Sequence, residues 1–243
     1  MHCHLDFLDD PAGFAHGARL RGLGFFSTTV TPGGFERACE LLAGCENVRV
    51  GVGLHPWWIN DGRCDAEDVE RVCAAIARTQ FVGEIGLDFG KRCAASREAQ
   101  IAAFERIAAA CAAVGGRLLT VHAVRSADAA LDVLERTGCL ANNQVILHWY
   151  SDTSEGLWRA VRAGCSISVN ARMLATRRGR EYARVIPLER LLLETDLPPD
   201  DQAGFTLDAW EADLRGALRT FEEIRGARLG KALAQNSKRL LAF

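Results

Sequence analysis

The sequence lacks the features that would place the chain in a membrane, in a secreted disulfide scaffold or among the zinc ribbons. It has no run of about 20 apolar residues, which a membrane-spanning helix needs. The N-terminal segment MHCHLDFLDD is polar and acidic, so no signal peptide is visible. The nine cysteines are odd in number and scattered, and none forms a CxxC pair. We therefore expect a protein of a reduced, cytoplasmic compartment that makes no membrane contact.

The chain is also poor in lysine and carries no excess of charge of one sign. Its formal net charge is −2, so global charge does not indicate nucleic-acid binding. Between residues 172 and 190, however, the sequence has six arginines and only two glutamates. These arginines are Arg172, Arg177, Arg178, Arg180, Arg184 and Arg190. The run predicts either a solvated helix face or a rim that faces phosphates.

The apolar residues that are present follow a repeating pattern of short strands and longer helices. The chain has 243 residues, of which 49% are hydrophobic, enough for a sizeable core. Short apolar or alternating runs predict strands over 1–3, 24–30, 48–53, 81–87, 117–122, 144–148, 164–169 and 190–195. Helical periodicity predicts helices over 11–20, 33–42, 66–78, 96–114, 126–136, 154–162, 174–185, 207–224 and 231–241.

This alternation of strand and helix predicts an α/β protein with a parallel sheet. Eight such units in a chain of this length match a (β/α)8 TIM barrel, which we expect as a single domain over residues 1–243. A doubly wound open sheet is the alternative, but no GxGxxG follows the first strand. Helix starts carry expected caps, with Asp65 and Asp68 flanking one start and Ser96 preceding another.

Histidines and carboxylates recur where these strands end, which is where barrel enzymes place their chemistry. Five of the six histidines occupy such positions, and His16 alone lies inside a helix. The polar residues at strand ends are His2, His4, His55, Glu84, His122, His148, Asn170 and Asp196. A single histidine at such a place is usually a hydrogen-bonded structural residue. Five histidines at one rim indicate a binding site.

The residue types at this rim indicate a metal centre. His2 and His4 lie two apart on an extended segment, so their imidazoles point the same way while Cys3 points oppositely. Imidazole suits zinc and other first-row metals, and carboxylates suit harder cations such as magnesium or manganese. Glu84 and Asp196 follow apolar strands, where an unpaired carboxylate is unfavourable. Four histidines and two carboxylates suffice for two divalent ions that share a carboxylate.

The motifs HCHLD, GLHPW, GEIGLDF, VHA, LHWYS and LLLETDLP, in this order, resemble the TatD-type deoxyribonucleases of the metal-dependent hydrolase barrels. The similarity extends over nearly the whole chain and includes the terminal QNSKRLL. It implies metal-dependent hydrolysis of DNA phosphodiesters, often from a 3′ end and on single-stranded DNA. It also implies that His2, His4, Glu84 and Asp196 hold one metal ion. Glu84, His122 and His148 would hold the other.

The resemblance implies a role for His55, and the chemistry of the ligand set predicts roles for other residues. His55 matches the position that contacts the substrate phosphate, Asp196 would be the general base, and Glu84 would bridge the two ions. Arg125 and Asn170 are candidate substrate contacts, and Asp6 and Asp88 are candidate positioning residues. The family often has His-Ser-Arg at the fifth strand, where this chain has His-Ala-Val-Arg, so Arg125 is displaced by one position. The family also has more residues before the first histidine, so we expect either a very short first strand or a true start upstream of Met1.

The segments VGGRLLTVHA, ILHWYS and GCSISVNARML are similar to TatD-like proteins of bacterial anti-phage operons of the Qat type. This similarity implies defence proteins as partners. Two other functions stay open on the same scaffold. One is a small-molecule amidohydrolase or ester hydrolase, although Lys91, Lys231 and Lys238 lie away from strand ends and cannot bridge metals there. The other is a non-catalytic subunit that binds nucleic acid or a protein.

Overall fold

A computed structural model describes residues 1–199 and 204–242. Within these residues eight strands succeed one another along the chain, each parallel to its neighbours. They are β1 (His2–Cys3), β2 (Phe25–Thr28), β3 (Val48–Gly51), β4 (Phe81–Asp88), β5 (Leu118–Val124), β6 (Gln144–Leu147), β7 (Ser166–Val169) and β8 (Leu191–Leu193). The first strand is a stub of two residues, as expected.

Helices lie between the strands and after the last of them. They are α1 (Pro11–Leu20), α2 (Pro32–Leu41), α3 (Pro56–Asn60), α4 (Ala66–Ile76), α5 (Arg97–Val114), α6 (Ala127–Arg136), α7 (Ser154–Arg162), α8 (Ala171–Leu174), α9 (Arg177–Val185), α10 (Leu207–Arg225) and α11 (Gly230–Leu241). Short 3-10 turns occupy Leu5–Phe7, Lys91–Ser96, Cys139–Ala141 and Leu188–Arg190.

The strands close into a barrel through two seams of backbone hydrogen bonds. Strands β1–β3 form one ladder and β4–β8 another. Between β3 and β4, Val52 donates to the carbonyl of Phe81 at 3.1 Å and accepts from Gly83 at 2.8 Å. Between β8 and β1, Asp196 donates to the carbonyl of His2 at 3.2 Å, and His4 donates to Leu197 at 3.0 Å. The (β/α)8 barrel predicted from the alternation is confirmed.

The strands are apolar because both of their faces are covered, as in other parallel sheets. All residues of β2 and β7 are buried, and so are the last seven of the eight residues of β4. One large apolar cluster joins the barrel to the helices α4–α7, with Phe104 and Leu131 nearly inaccessible within it. The rigid framework therefore fixes where the strand ends lie.

Gly53 permits the closest backbone approach beside the site. A β-carbon at this position would lie 1.8 Å from the carbonyl oxygen of Thr29 and 2.5 Å from the nitrogen of Glu84. No larger residue fits between backbones this close. Glycine here therefore lets the chain after β3 pack against the backbone that carries Glu84.

Most helix starts use side-chain caps. Asp65 accepts from the backbone of Asp68, whose side chain accepts from Asp65 in turn, so the predicted cap is a capping box. The expected Ser96 cap is wrong, because Ser96 makes no capping bond and donates instead to Asn60 and Cys93. The 3-10 turn Lys91–Ser96 runs directly into α5, which removes the open first turn that a cap would satisfy.

The predicted helix over 174–185 is wrong at its start. The structure has two helices there, α8 and α9, and the helical conformation is interrupted between them, before Arg177. The hydroxyl of Thr176 accepts from the backbone of Gly179 at 2.9 Å and begins the second helix. A further helix, α3, follows His55 and begins with Pro56. No helix within residues 1–199 and 204–242 has the length and apolar character needed to cross a membrane.

Candidate metal centre

The first strand presents two imidazoles to the mouth of the barrel. The Nε2 atoms of His2 and His4 lie 3.3 Å apart, while the thiol of Cys3 is turned away toward Phe26. The Nδ1 atom of His4 lies 3.1 Å from the carbonyl oxygen of Thr28. Because a carbonyl oxygen can only accept, Nδ1 carries a hydrogen, and in the neutral ring the lone pair is on Nε2. His4 is therefore held in the tautomer that a metal ion requires.

Glu84 is the centre of the arrangement. It extends from β4, is 2% exposed, and turns its two oxygens toward different histidines. The Oε1 atom lies 2.7 Å from His122 Nδ1, 2.7 Å from His148 Nε2 and 3.1 Å from His55 Nε2. The Oε2 atom lies 3.2 Å from His2 Nε2 and 3.5 Å from His4 Nε2. This division is the geometry of a carboxylate that can bridge two cations.

Asp196 completes the group around Oε2 of Glu84. Its Oδ1 atom lies 3.3 Å from the Nε2 atoms of both His2 and His4, and its Oδ2 atom lies 3.7 Å from Arg172. The backbone of Asp196 has a φ of 58°, which is unusual for a residue other than glycine. Arg125 and Trp149, which follow β5 and β6, also have positive φ. Strained residues thus collect at the carboxyl ends of the strands, as they do at functional sites.

Two groups of ligand atoms are compact enough to hold an ion around Glu84. One comprises His2, His4, Glu84 and Asp196, and the other comprises His55, Glu84 and His122. The first group has the composition that the sequence implied. The second contains His55 rather than His148, although His148 Nε2 lies 3.3 Å from His122 Nδ1. The assignment of ligands to ions stays a prediction.

The electrostatics of the centre favour a cation. Burial alone would raise the pKa of Glu84, but the surrounding histidines hold it well below its usual range. Burial would lower the pKa of His4, yet its hydrogen bond and charge interaction with Asp196, together with the charge of Glu84, raise it to about 9. Carboxylates therefore stay ionised, and protons on imidazoles balance them. A divalent ion would supply the same positive charge without those protons, so the residues present fit a metal ion.

Two further buried carboxylates contact histidines of the central cluster. We use this name for His2, His4, His55, Glu84, His122, His148 and Asp196. Asp88 Oδ2 lies 3.4 Å from His122 Nε2. Glu194, which the sequence reasoning missed, lies 3.6 Å from His148 Nδ1 and is fully buried. It also accepts hydrogen bonds from Ser168 and Asn170. A third group of possible ligand atoms comprises His2, His148 and Glu194. Glu194 is two residues before Asp196, so strand alternation was the signal that could have found it.

The structure does not bring Asn170 or Arg125 to the cluster's open side. Asn170 is fully buried, because its amide donates to Glu194 and its oxygen accepts from Met173 to begin α8. Burial leaves it no surface for the predicted substrate contact. Arg125 is exposed and lies outside the described lining of the cavity. Asp6 is partly buried near His4, and burial raises its pKa to about 6.

Arginines of the run 172–190 are found both on a solvated helix face and at the rim of the cavity, the two places predicted for them. Arg172 lines the cavity and lies 5.4 Å from the ring centre of Trp149. Arg184 pairs with Glu181 on the exposed side of α9, and Arg190 donates to the carbonyl of Gly164. Arg172 alone of these three therefore presents its charge to the site.

The cluster lies at the bottom of an open cavity of about 610 Å³. Apolar side chains form much of its wall, namely Phe7, Val30, Trp57, Trp58, Trp149, Pro198 and Pro199. This volume is in the range of sites for small ligands, and a few polar groups converge at its base. The cavity can admit part of a larger molecule while the cluster stays shielded from bulk water.

Comparison with known proteins identifies the family. The family model described as "TatD related DNase" matches residues 1–242. The chain belongs to the TatD-related DNase family. It is 30% identical over 210 residues to an Escherichia coli (strain K12) protein named "Uncharacterized metal-dependent hydrolase YcfH", covering 81% of this chain and 76% of that one. The chain is thus a TatD-family metal-dependent hydrolase.

Other TatD proteins match over a shorter span. A protein from Edwardsiella piscicida named "3'-5' ssDNA/RNA exonuclease TatD" is 33% identical over 153 residues, covering 60% of this chain and 56% of its own length. Among solved structures, the TatD homologue YJJV from Escherichia coli K12 has a TM-score of 0.81 at 22% identity. The match covers 100% of this chain and 97% of the YJJV chain. That likeness supports the TatD barrel fold.

Proposed function

We propose that the chain is a divalent-metal-dependent deoxyribonuclease that hydrolyses phosphodiester bonds of single-stranded DNA from the 3′ end. One observation carries the proposal: the two oxygens of Glu84 face two groups of histidines at the base of an open cavity. The family membership and the exonuclease name of a relative support it. DNA is therefore the proposed partner.

Two divalent ions are the proposed cofactors, with zinc, magnesium or manganese as candidates. His2, His4, Glu84 and Asp196 would hold one ion, and Glu84, His122 and His148 would hold the other. Such ions lower the pKa of a bound water and neutralise phosphate charge.

The chain's own residues would position the reactants and move the proton. Asp196 turns Oδ1 toward His2 and His4, which leaves Oδ2 on the side of Arg172 to accept a proton from the attacking water. His55 Nδ1 accepts from the backbone of Trp57 at 3.1 Å, so its Nε2 carries the hydrogen. Burial lowers the pKa of His55 to about 4, which keeps the imidazole neutral. His55 would therefore donate a hydrogen bond to a phosphate oxygen without being charged.

Arg172 would attract the substrate to this side of the cavity. Its guanidinium is half exposed and lies beside Asp196. A phosphodiester is an anion, and charge-assisted hydrogen bonds from arginine are a common way to hold one. A cytoplasmic location, expected from the scattered cysteines, is a further part of this proposal. So is a role in bacterial anti-phage defence with partner proteins of that system, which is supported by the Qat-type sequence similarity.

The test is cleavage of a 5′-labelled single-stranded oligonucleotide with added Mg²⁺, Mn²⁺ or Zn²⁺ and with EDTA. Wild type should produce a metal-dependent ladder that shortens from the 3′ end. Asp196→Ala should abolish it, whereas Glu70→Ala, an exposed carboxylate on α4, should not. A simple ester and an amide serve as competing substrates.

The outcomes separate the alternatives. Metal-dependent turnover of the ester or amide without DNA cleavage would indicate a small-molecule hydrolase. Oligonucleotide binding that survives Asp196→Ala, without turnover of any substrate by wild type, would indicate a non-catalytic binding subunit. Either result would overturn the proposal.

A further inference from the structure

Trp57 is an aromatic side chain that the proposed chemistry does not use. It is the second residue of α3 and lines the cavity with 36% of its surface exposed. Its neighbour Trp58 is 9% exposed and belongs to the main apolar cluster. The two adjacent tryptophans thus differ in role, since Trp58 fills the core and Trp57 presents aromatic surface to the cavity.

The indole of Trp57 is tied to the metal centre through Asp88. Its Nε1 atom donates to Asp88 Oδ2 at 2.6 Å, and the same oxygen lies 3.4 Å from His122 Nε2. Asp88 Oδ1 accepts from the backbone of Gly90 at 2.7 Å, which fixes the carboxylate. The bond from Trp57 Nε1 sets the position of the ring relative to the cluster.

The surroundings of the ring combine aromatic surface with positive charge. The ring centres of His55 and His122 lie 5.0 and 6.1 Å from that of Trp57. The guanidinium carbon of Arg92 lies 5.1 Å from the ring centre. Proteins hold single strands by stacking bases on aromatic rings and attracting the backbone with cations. The ring therefore lies beside two histidines of the site and has a cation close to it.

We propose that Trp57 is the platform on which the nucleobase next to the scissile phosphate stacks. It is a specificity-determining residue, and Asp88 is the positioning residue that holds it. The inference rests on the proposed nuclease function and adds the requirement for a base at that nucleotide. It follows that the protein distinguishes a nucleotide from a phosphodiester without a base, with little dependence on which base is present.

The experiment compares two single-stranded oligonucleotides that differ only at the 3′ end, where one carries normal bases and the other carries abasic sites at its last two nucleotides. Cleavage is measured with metal present. Binding is measured separately, by fluorescence anisotropy of metal-loaded protein, on versions with hydrolysis-resistant phosphorothioate linkages. The proteins are wild type, Trp57→Ala, Trp57→Phe, Asp88→Ala and Trp158→Ala. Trp158 is the matched control, because it is 37% exposed but lies on α7 outside the described cavity lining.

Wild type and Trp158→Ala should bind the base-containing strand about tenfold to a hundredfold more tightly than the abasic one. Trp57→Ala should lose most of this preference, with the change in cleavage appearing in KM more than in kcat. Trp57→Phe should restore most of it, because the aromatic face is kept. Asp88→Ala should give an intermediate preference while metal content shows whether the cluster is intact.

An equal preference in wild type and Trp57→Ala would overturn the inference, and so would a wild type that binds both strands equally. A Trp57-dependent binding preference without cleavage would leave the inference standing as a binding role and defeat the nuclease proposal. Cleavage that does not depend on Trp57 would support the nuclease proposal and overturn the inference about Trp57. Failure to bind either strand would overturn both.

Discussion

Ion pairs occur both in the outer ring of helices and in the mouth of the barrel, but they differ in kind. On the outside, arginines pair with carboxylates in water, as Arg106 does with Glu70 at 2.7 Å. In the mouth, buried histidines surround buried carboxylates, and Arg172 is the arginine beside them. The outer pairs neutralise themselves. The inner group has more acids than permanent cations, so it is suited to binding a positive ion. Five experiments test this comparison.

The largest difference should follow from removing a carboxylate from each region. Glu84→Ala should lose both metal ions, because the carboxylate between the two groups of histidines disappears. Glu70→Ala should keep them, since its carboxylate is exposed and far from the cluster. Elemental analysis of the purified variants measures the metal content. Two ions retained in Glu84→Ala would contradict the bridging role.

Metal removal should destabilise the protein without touching the outer pairs. An ion that binds only the folded state at a thousandfold excess over its Kd stabilises that state by about 4 kcal/mol. For a chain of this length the loss corresponds to a fall in Tm of roughly 10 °C. Calorimetry with and without EDTA measures it, and re-addition of the metal is the control. An unchanged Tm, with no metal in the purified protein, would argue against the site.

Glu194→Gln should weaken metal binding by about tenfold to a hundredfold, as loss of a carboxylate behind a histidine ligand commonly does. The substitution keeps the size of the side chain but removes the charge beside His148 Nδ1. Titration with a competing chelator measures the affinity. Glu189→Gln, an exposed position near the start of β8, should have no effect. Equal metal affinities of Glu194→Gln and wild type would show that Glu194 has only a packing role.

The metal-free protein should become less stable as pH rises from about 6.5 to 9. The pKa of His4 is about 9 in the folded protein and 6.5 for the free side chain. The folded state therefore binds the proton more tightly, and the stability gained from this proton is fully present below pH 6.5. That contribution disappears as pH passes the folded pKa. His122 and His148, whose pKa values are also raised, act in the same direction. Tm measured in EDTA should fall, and less steeply in His4→Gln; a rising Tm would contradict the assignment.

The smallest effect should come from breaking an outer pair. Arg106→Ala removes a guanidinium that contacts both oxygens of Glu70 in water. Exposed pairs of this kind contribute about 0.2–1 kcal/mol. Chemical denaturation should therefore show a small loss of stability, with metal content and cleavage unchanged. A loss above about 2 kcal/mol would mean that the outer charges do more than neutralise each other.

The sequence was sufficient to predict the barrel and the seven polar residues that the structure brings together, namely His2, His4, His55, Glu84, His122, His148 and Asp196. Alternation of strands and helices fixes the topology, and parallel strands place their carboxyl ends at one rim. It was insufficient for the role of Glu194: alternation with Asp196 marks the position, but the contact with His148 is defined only once both side chains are placed in space. The same holds for Asn170, whose burial depends on Glu194. The break before Arg177 had a local signal in Thr176 and Gly179, which the helical periodicity concealed.

The positive φ of Asp196 has a consequence for any attempt to improve the protein. A backbone held in this region costs about 1–3 kcal/mol for most residues, and glycine relieves the strain. Asp196→Gly should therefore relax the backbone of the metal-free chain while it deletes the carboxylate. In the metal-loaded protein the loss of this ligand carboxylate would outweigh the gain. The strained aspartate thus couples the stability of this rim to the ion that it would hold.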